Sequence, residues 1–331
     1  MTDVLLVSLG STTGLRQADA ELAGSLHRAG ASVAVVEARP PREWRTLALL
    51  ELAWALAARR AATRGLAEHA PRAIVYSSTT AALLAPAPGA IRFDATAAGN
   101  RPGRHGIWQR PVERRRLATA LLVPWSDGAL AEAPRPHGDA VVVPVPVAPS
   151  GPAGERDIAA ITYGANPEKK GLDRVLAAWA RARQGDEELV VAGLDEPSVA
   201  ARWRAVAGGA ERHGVRGVGA LPRDEYRALV RRARVFIAAP RREDYGIAQL
   251  EALADGCALV TTAPPGPYAA LPLARTLDPR LVGHDLATPI RTALDEPRPG
   301  YAERAAELLA PWRPEAVDRV VAAELLPRLL R

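Results

Sequence analysis

Short apolar runs separated by longer amphipathic stretches pattern the whole chain. In the first half the runs lie at 3–9, 32–37, 73–77, 90–94, 120–124 and 140–144, the length of buried strands. Between them the spacing is helical: Leu22 and Leu26 stack four apart before Gly30, an alanine-rich stretch fills 42–69 behind Pro40-Pro41, and a basic loop and helix covers 99–118. Residues 144–154 hold Pro144, Pro146, Pro149, Gly151, Pro152 and Gly154 without apolar periodicity, which marks a linker. The alternation then restarts. Apolar runs at 157–164, 188–194, 215–221, 234–240 and 257–262 alternate with helical stretches at 171–183, 197–213, 223–233 and from 246 onward. The stretch 171–183 carries Leu172, Val175, Leu176 and Trp179 on one stripe, and the last, from Pro314, stacks Val317, Val321 and Leu325.

Strands apolar throughout, alternating with helices, predict parallel sheets covered on both faces. The expected fold class is therefore α/β, with two doubly wound, Rossmann-like domains. The expected boundaries are 1–150, 151–313, and a C-terminal helix at 314–331 that packs back toward the first domain. Two such domains facing each other bind ligands in the cleft between the carboxyl ends of their sheets.

Composition narrows the picture modestly. A chain of 331 residues with 48% hydrophobic and 24% charged positions is long enough for two ordinary cores without staples. The single cysteine, Cys257, excludes an internal disulfide and sits in a predicted strand, where it reads as a small apolar residue. A net charge of +6, carried mainly by arginine, favours anionic partners, and the arginine-rich composition is an equal explanation. No nucleic-acid-binding module is recognisable, so nucleic acid is not an expected partner. No leader pattern follows Met1, and no window reaches the length of a membrane span. The expected location is cytoplasmic, at most peripheral at the inner face of a membrane.

One stretch organises the chemistry. Arg241-Arg242-Glu243-Asp244-Tyr245-Gly246-Ile247 follows one apolar run, and a helix through Glu251 to Gly256 leads into the next. A helix starting near Gly246 aims its first N–H groups at the loop, a site for an anion such as pyrophosphate. Two carboxylates flanking it suit hydroxyl-rich ligands, because ionised carboxylates only accept hydrogen bonds. Phosphates with hydroxyls describe a nucleotide sugar.

With this layout, the chain resembles the retaining glycosyltransferases of the GT-B fold, specifically glycosyltransferase family four. Glu243-Asp244-Tyr245-Gly246 with Glu251-Ala252-Leu253-Ala254-Asp255-Gly256 looks like that family's signature, and Tyr163-Gly164 with Lys169-Lys170-Gly171 looks like its phosphate-binding turn. Val191-Ala192-Gly193 and Val218-Gly219-Ala220-Leu221-Pro222 sit where the family lines its base pocket. The resemblance covers the C-terminal half in order and spacing, and the N-terminal half in layout. It implies that Glu243 accepts hydrogen bonds from the donor sugar, that the amides of Tyr245, Gly246 and Ile247 hold the pyrophosphate beside Asp244, and that Glu251 holds the ribose. Lys170, helped by Lys169 near Gly164, neutralises the leaving diphosphate. Gly193 and Leu221 line the base pocket.

Such enzymes commonly work without a bound divalent ion, and no Asp-x-Asp pair or His/Cys cluster has ligand spacing here. The implied site has no metal and no cofactor beyond a UDP- or GDP-linked sugar donor. Two positions depart from the family. Ala165 stands where an arginine often follows the strand glycine, and Phe93 stands where a histidine often precedes Asp94. Asp94 or His105 is the expected substitute for that histidine.

The remaining candidates keep two readings each. Gly10-Ser11-Thr12-Thr13-Gly14 matches neither the dinucleotide fingerprint nor a P-loop. It is an ordinary strand-to-helix turn or a loop touching donor phosphate or acceptor. Residues 101–116 pack six arginines, His105 and Trp108 against one glutamate, either a solvated face or a contact for an anionic acceptor or membrane headgroups. The helix with Trp44, Trp54, Arg59, Arg60 and Arg64 reads as core packing before it reads as a lipid-facing surface. The function expected is sugar transfer with retention to an acceptor that is anionic or lipid-linked. A non-catalytic nucleotide-sugar-binding protein and a sugar-nucleotide epimerase of the same fold are the alternatives. Oligomeric state is not readable.

Overall fold

The computed structural model describes residues 2–42, 46–101, 103–152, 154–207 and 214–331. Trp44 and the end of the expected helix at 197–213 lie outside the described residues. The chain divides into two compact units, the first comprising Met1–Pro146 with Trp312–Arg331 and the second Val147–Pro311.

In the first unit β1 (Val4–Ser8), β2 (Val33–Glu37), β3 (Ala73–Tyr76), β4 (Ala90–Phe93) and β5 (Leu122–Pro124) form a five-stranded sheet in the order β2-β1-β3-β4-β5. Every pairing is parallel. Connecting them are α1 (Thr13–Arg28), α2 (Leu47–His69), α3 (Thr79–Ala82), α4 (Ala97–Asn100), α5 (Gln109–Leu117) and α6 (Asp127–Ala131). Two apolar clusters flank this sheet. One gathers Ala58, Ala61, Ala62, Ala81 and Leu117 over Leu5, Val7 and Phe93. The other gathers Leu22 and Leu26 with Val317, Val321 and Leu325 from the chain's last helical stretch.

In the second unit β6 (Ile158–Tyr163), β7 (Leu189–Ala192), β8 (Val215–Gly217), β9 (Ala233–Ala238) and β10 (Ala258–Thr261) form a five-stranded sheet in the order β10-β9-β6-β7-β8. It too is parallel throughout. Its helices are α7 (Pro167–Lys170), α8 (Leu172–Ala182), α9 (Glu196–Val206), α10 (Arg223–Arg232), α11 (Ile247–Ala254), α12 (Ala270–Leu277), α13 (Ala287–Asp295) and α14 (Tyr301–Leu308). The expected stripe on α8 is the buried one: Leu172, Val175, Leu176 and Trp179 are all enclosed, and the Trp179 indole donates to the Gly214 carbonyl at 3.0 Å. α8 packs with α13, and α10 and α14 pack with α11, so helices cover both faces. The chain ends in α15 (Pro314–Val320), a π-helical turn at Val321–Leu325 and α16 (Leu326–Leu329).

One expected element differs. The apolar run at 140–144 forms one isolated bridge, Ala140 to Leu122, rather than a full strand. It still lies along β5, where the Val141 and Val143 amides donate to Leu122 and Pro124, and Pro144 and Pro146 bring no N–H to extend the ladder. The basic loop and helix expected at 99–118 comprises α4, a break at the 3-10 turn Gly103–Gly106, and α5. The break falls at glycines, and a Cβ on Gly106 would sit 2.5 Å from the Arg101 carbonyl oxygen. Among the described residues, no helix is long and apolar enough to cross a membrane.

Candidate functional site

The strand order of the second unit creates its site. The chain enters the sheet at β6, winds outward through β7 and β8, then returns on the other side of β6 with β9 and β10. The carboxyl ends of β6 and β9 therefore diverge, and ligands of open α/β sheets bind at such a switch point. Two loops meet there. After β6, the Asn166 side chain caps α7 by accepting from the Lys169 amide at 3.1 Å, with Pro167 at the first helical position. Gly171, at φ 62°, ends this single turn, and a Cβ there would lie 2.0 Å from the Ala239 carbonyl oxygen. That stop leaves Lys169 and Lys170 together at the carboxyl end of the sheet. After β9, the Arg241 amide donates to the Lys169 carbonyl at 3.0 Å and joins the two loops.

Lys170 Nζ lies 2.8 Å from Glu243 Oε2, and the same oxygen accepts from Gln249 Nε2 at 3.0 Å. Glu243 is 4% exposed. Its backbone is fixed as well, since its amide donates to the Pro265 carbonyl at 3.1 Å. Asp244, equally buried, takes Lys169 Nζ at 2.9 Å on one oxygen and Arg242 Nε at 2.8 Å on the other. Gly246, at φ 90°, turns the chain into α11, and any side chain there would collide with the Tyr268 ring. With glycine as N-cap there is no side chain to satisfy the first turn of α11, so the amides following Tyr245 point their N–H groups toward the loop without an intrahelical acceptor.

Glu251, on the buried face of α11, is gripped from α10. Its Oε1 lies 2.7 Å from Arg223 Nη2 and 3.2 Å from Arg227 Nη1. Arg227 is itself buried and bonds Asp255 at 2.7 Å, while Asp255 accepts from the Ser150 amide at 2.7 Å. Beside this network the rings of Tyr163 and Tyr226 lie 5.5 Å apart, tilted by 59°. Burial, and then the Glu251 charge, push both phenols above their ordinary range, Tyr226 furthest, so both stay neutral at physiological pH. Cys257 is fully buried with its thiol donating to the Val230 carbonyl at 3.1 Å, and burial pushes that thiol up to about 12. It is no nucleophile.

Gly164, Gly193 and Leu221 complete the unit's share of the expected residues. Gly164 closes β6 with its amide on Ala192 at 2.8 Å. Gly193 donates to Gly219 at 2.7 Å while Gly219 donates back to Leu194, so the turns after β7 and β8 form one wall that Leu221 continues into α10. Ala165, in place of the family's arginine, lies against Gly193, where a Cβ would approach within 2.9 Å.

Asp94, His105, Gly10, Ser11 and Thr12 lie in the first unit. Asp94 is half-buried just past β4, and His105 is exposed on the 3-10 turn. Gly10 and Thr12 serve the turn itself: the Gly10 carbonyl accepts from Arg16 at 2.6 Å, and the Thr12 hydroxyl caps α1 by accepting from Leu15. Ser11 is exposed. In the basic segment, Arg101 bonds Glu51, Arg110 bonds the Gly103 carbonyl, Arg114 that of Arg135, and Arg116 those of Leu83 and Ala85. Arg104 and Arg115 remain exposed to solvent. Trp54 packs against the apolar cluster.

Three side chains that hold Glu243 and Glu251 escaped the sequence reading: Gln249, Arg223 and Arg227. The signal for the arginines was their spacing of four behind Leu221-Pro222, which places both on one face of α10.

With this geometry in view, comparison shows what the segment is similar to. Residues 157–276 match the family model of glycosyl transferases, group 1. The matching segment contains Gly164, Lys169, Lys170, Gly193, Leu221, Glu243 and Glu251. No curated protein matches the chain in sequence. Solved structures resemble it over nearly its whole length. Sucrose-phosphate synthase from Thermosynechococcus elongatus superposes with a TM-score of 0.76 at 17% identity, over 99% of each chain. WaaG, a glycosyltransferase involved in lipopolysaccharide biosynthesis, does so with 0.73 at 16%, over 96% of this chain and 99% of that one. HepE from Anabaena, in complex with UDP and glucose, gives 0.68 at 12%, over 98% and 99%. The fold is GT-B.

Proposed function

We propose that the protein is a retaining glycosyltransferase that moves a sugar from a UDP- or GDP-linked donor to an acceptor hydroxyl without a bound metal. The observation that carries this reading is the Lys170–Glu243 pair at the β6/β9 switch point, 2.8 Å apart, inside the segment that matches the group 1 family. A cation, a buried carboxylate and the first amides of α11 around one point are what a sugar diphosphate requires. The donor's diphosphate takes Lys170 and the amides of Gly246 and Ile247. Its sugar hydroxyls donate to Glu243, and its ribose hydroxyls donate to Glu251. Asp244 keeps Lys169 at the same mouth.

As the bond from the anomeric carbon to the phosphate oxygen breaks, negative charge grows on the diphosphate, where Lys170 and the amide dipoles stabilise it. The acceptor hydroxyl attacks from the face the diphosphate leaves. A new carbon–oxygen bond forms, and the acceptor's proton passes to a diphosphate oxygen. No protein nucleophile is needed, which accords with an inert Cys257. The acceptor is assigned to the first unit, near Gly10, Asp94 and His105. An anionic or lipid-linked acceptor fits Arg104 and Arg115, and exposed Leu47, Leu49 and Ile107 give a peripheral foothold on anionic lipid, with Trp108 joined to α2 through the Ala48 carbonyl. Sedimentation with anionic vesicles tests that foothold, and an Ile107→Asp variant should lose it.

The test of the activity is nucleotide release from UDP-, GDP- and ADP-sugars across an acceptor panel. Alanine at Lys170 and at Glu243 should each abolish most of it, and unchanged turnover in both would sink the reading. A second reading, nucleotide-sugar binding without transfer, is favoured by Ala165 in place of the family's arginine. Binding without release under any acceptor would select it, and conversion of the donor with no acceptor present would select an epimerase.

A further inference from the structure

A second cation-lined cavity opens in the same unit, and none of Lys169, Lys170, Glu243 or Glu251 lines it. It occupies about 500 Å³ at the carboxyl ends of β9 and β10, between α8 and the start of α13. Arg174 and Arg181 reach it from α8 and Arg241 from the loop after β9, with His284 at the rim, against a single lining carboxylate, Asp285. Asp285 is spent on Arg181, which it holds through two bonds of 2.8 and 2.7 Å. Arg241 leans on Asp173 at 2.8 Å. The Arg174 side chain makes no hydrogen bond or ion pair among the described residues and is exposed. Its charge is the uncompensated one.

The floor has a different character. Ala178, Ala239 and Pro264 give it a small apolar surface. Within it, Thr262 is 7% exposed and its hydroxyl oxygen is buried with no hydrogen-bond partner among the described residues. Buried hydroxyls in folded proteins are nearly always bonded, so an orphan on a cavity wall points to a ligand. Guanidinium forks match a phosphate's oxygens better than they match most anions, and a cavity of this size exceeds a bare phosphate while suiting a small organic body on the apolar floor.

We infer that this cavity binds a small phosphate monoester, its phosphate on Arg174 and Arg241 and its organic part against the alanine and proline floor, with Thr262 bonding an ester or hydroxyl oxygen. The site goes beyond the donor site and does not require it. The cavity backs directly onto the donor loops, since Pro265 in its wall accepts the Glu243 amide and Arg241 donates to Lys169.

Calorimetric titration of the full chain with glycerol 3-phosphate and with inorganic phosphate tests the inference. Saturable binding is expected, tighter for the ester. Arg174→Ala should weaken it about tenfold or more, the loss of a charge-assisted hydrogen bond, and the exposed position makes that variant safe to fold. Thr262→Val, of the same shape, should weaken the ester and leave inorganic phosphate unchanged. Lys170→Ala, which strips the other anion site, should leave both isotherms intact. Absence of saturable binding to the wild type, equal affinity in Arg174→Ala, or loss in Lys170→Ala would each overturn it.

Discussion

The two sheets are built alike and finish differently at their carboxyl ends. In the second unit the loops after β6 and β9 carry charge: Lys169 and Lys170 face Asp244 and Glu243, and behind them Arg223 and Arg227 hold Glu251. In the first unit the loop after β1 is neutral, and its polar atoms are spent on the turn, with Thr12 capping α1 and Gly10 receiving Arg16. Its charged groups lie deeper. Arg92 is fully buried on β4, over the Trp125 ring, and Asp19 accepts the Ser8 hydroxyl at 2.5 Å. Two parallel five-stranded sheets of different strand order thus end in a charged, prepared pair of loops in one unit and in a neutral first loop in the other. A diphosphate has a fixed charge that a fixed constellation can answer. An acceptor leaves no such uniform demand.

The largest effects should come from the charge network of the second unit. Arg227→Ala leaves Asp255, whose side chain is fully enclosed, without its guanidinium. Breaking a buried pair from one side costs about 3–5 kcal/mol, and chemical denaturation should show a loss of that order. A loss below about 1 kcal/mol, the value of an exposed pair, would mean the network is ornamental to the fold. Next comes Lys170→Ala. Removing one preorganised group that stabilises a developing anion lowers turnover about 10²–10³-fold, so nucleotide release should fall by that factor with the protein still folded. Substitution of Arg16, the charged neighbour of the Gly10 turn in the first unit, should cost far less. Equal losses would erase the contrast between the two sheet ends.

How far this contrast could be read from the sequence follows from where its causes lie. Glu243, Gly246 and Lys170-Gly171 sit in loops where local rules act: a glycine that only a turn explains, a lysine pair before it, apolar runs on either side. The apolar stripe of α8 was legible for the same reason, because Leu172, Val175, Leu176 and Trp179 declare one face. Gln249, Arg223 and Arg227 were not. Each belongs to a helix whose polar residues could equally face water, and only the packing of α10 on α11 turns the two arginines onto Glu251. Over 99–118 the sequence announced a loop and a helix, and the close approach of Gly106 to the Arg101 carbonyl places the turn between them. In the first unit the polar partners come from different elements, Ser8 from β1, Asp19 from α1 and Arg92 from β4, and no spacing announces them.

A smaller effect separates two glycines with the same backbone sign. Gly171 in the second unit has φ 62° with a backbone carbonyl 2.0 Å from where a Cβ would sit, and Gly30 in the first has φ 92° with nothing within 4 Å. Alanine at Gly30 should cost only the left-handed strain, about 1 kcal/mol. Alanine at Gly171 should cost more, about 2–3 kcal/mol or beyond, because the loop after β9 must also shift. Its thermal transition should fall further than that of the Gly30 variant, and its nucleotide release should fall with it, since Lys170 moves too. Equal shifts would show that the turn after β6 tolerates displacement.

The smallest effect belongs to the first unit and is read by pH. Asp318, on α15, accepts two bonds from Arg28 at the end of α1, at 2.6 and 2.9 Å. The Arg28 hydrogen bond is the main cause that holds the Asp318 carboxyl below its ordinary range, and burial opposes it. A depressed carboxylate binds fewer protons folded than unfolded, so its contribution is complete above the ordinary aspartate value, about 4, and is lost as pH falls through the lower folded value. Because Arg28 is half exposed, at 52% of its side-chain surface, solvent screens the pair to about 0.2–1 kcal/mol. Asp318→Asn should therefore lower stability by that amount at pH 7 and flatten the acid limb of the curve below about pH 4. Added salt should shrink the difference between variant and wild type. A difference that grows with salt, or one that persists undiminished well below about pH 4, would mean that the chain's last helical stretch is held to α1 by Val317, Val321 and Leu325 alone.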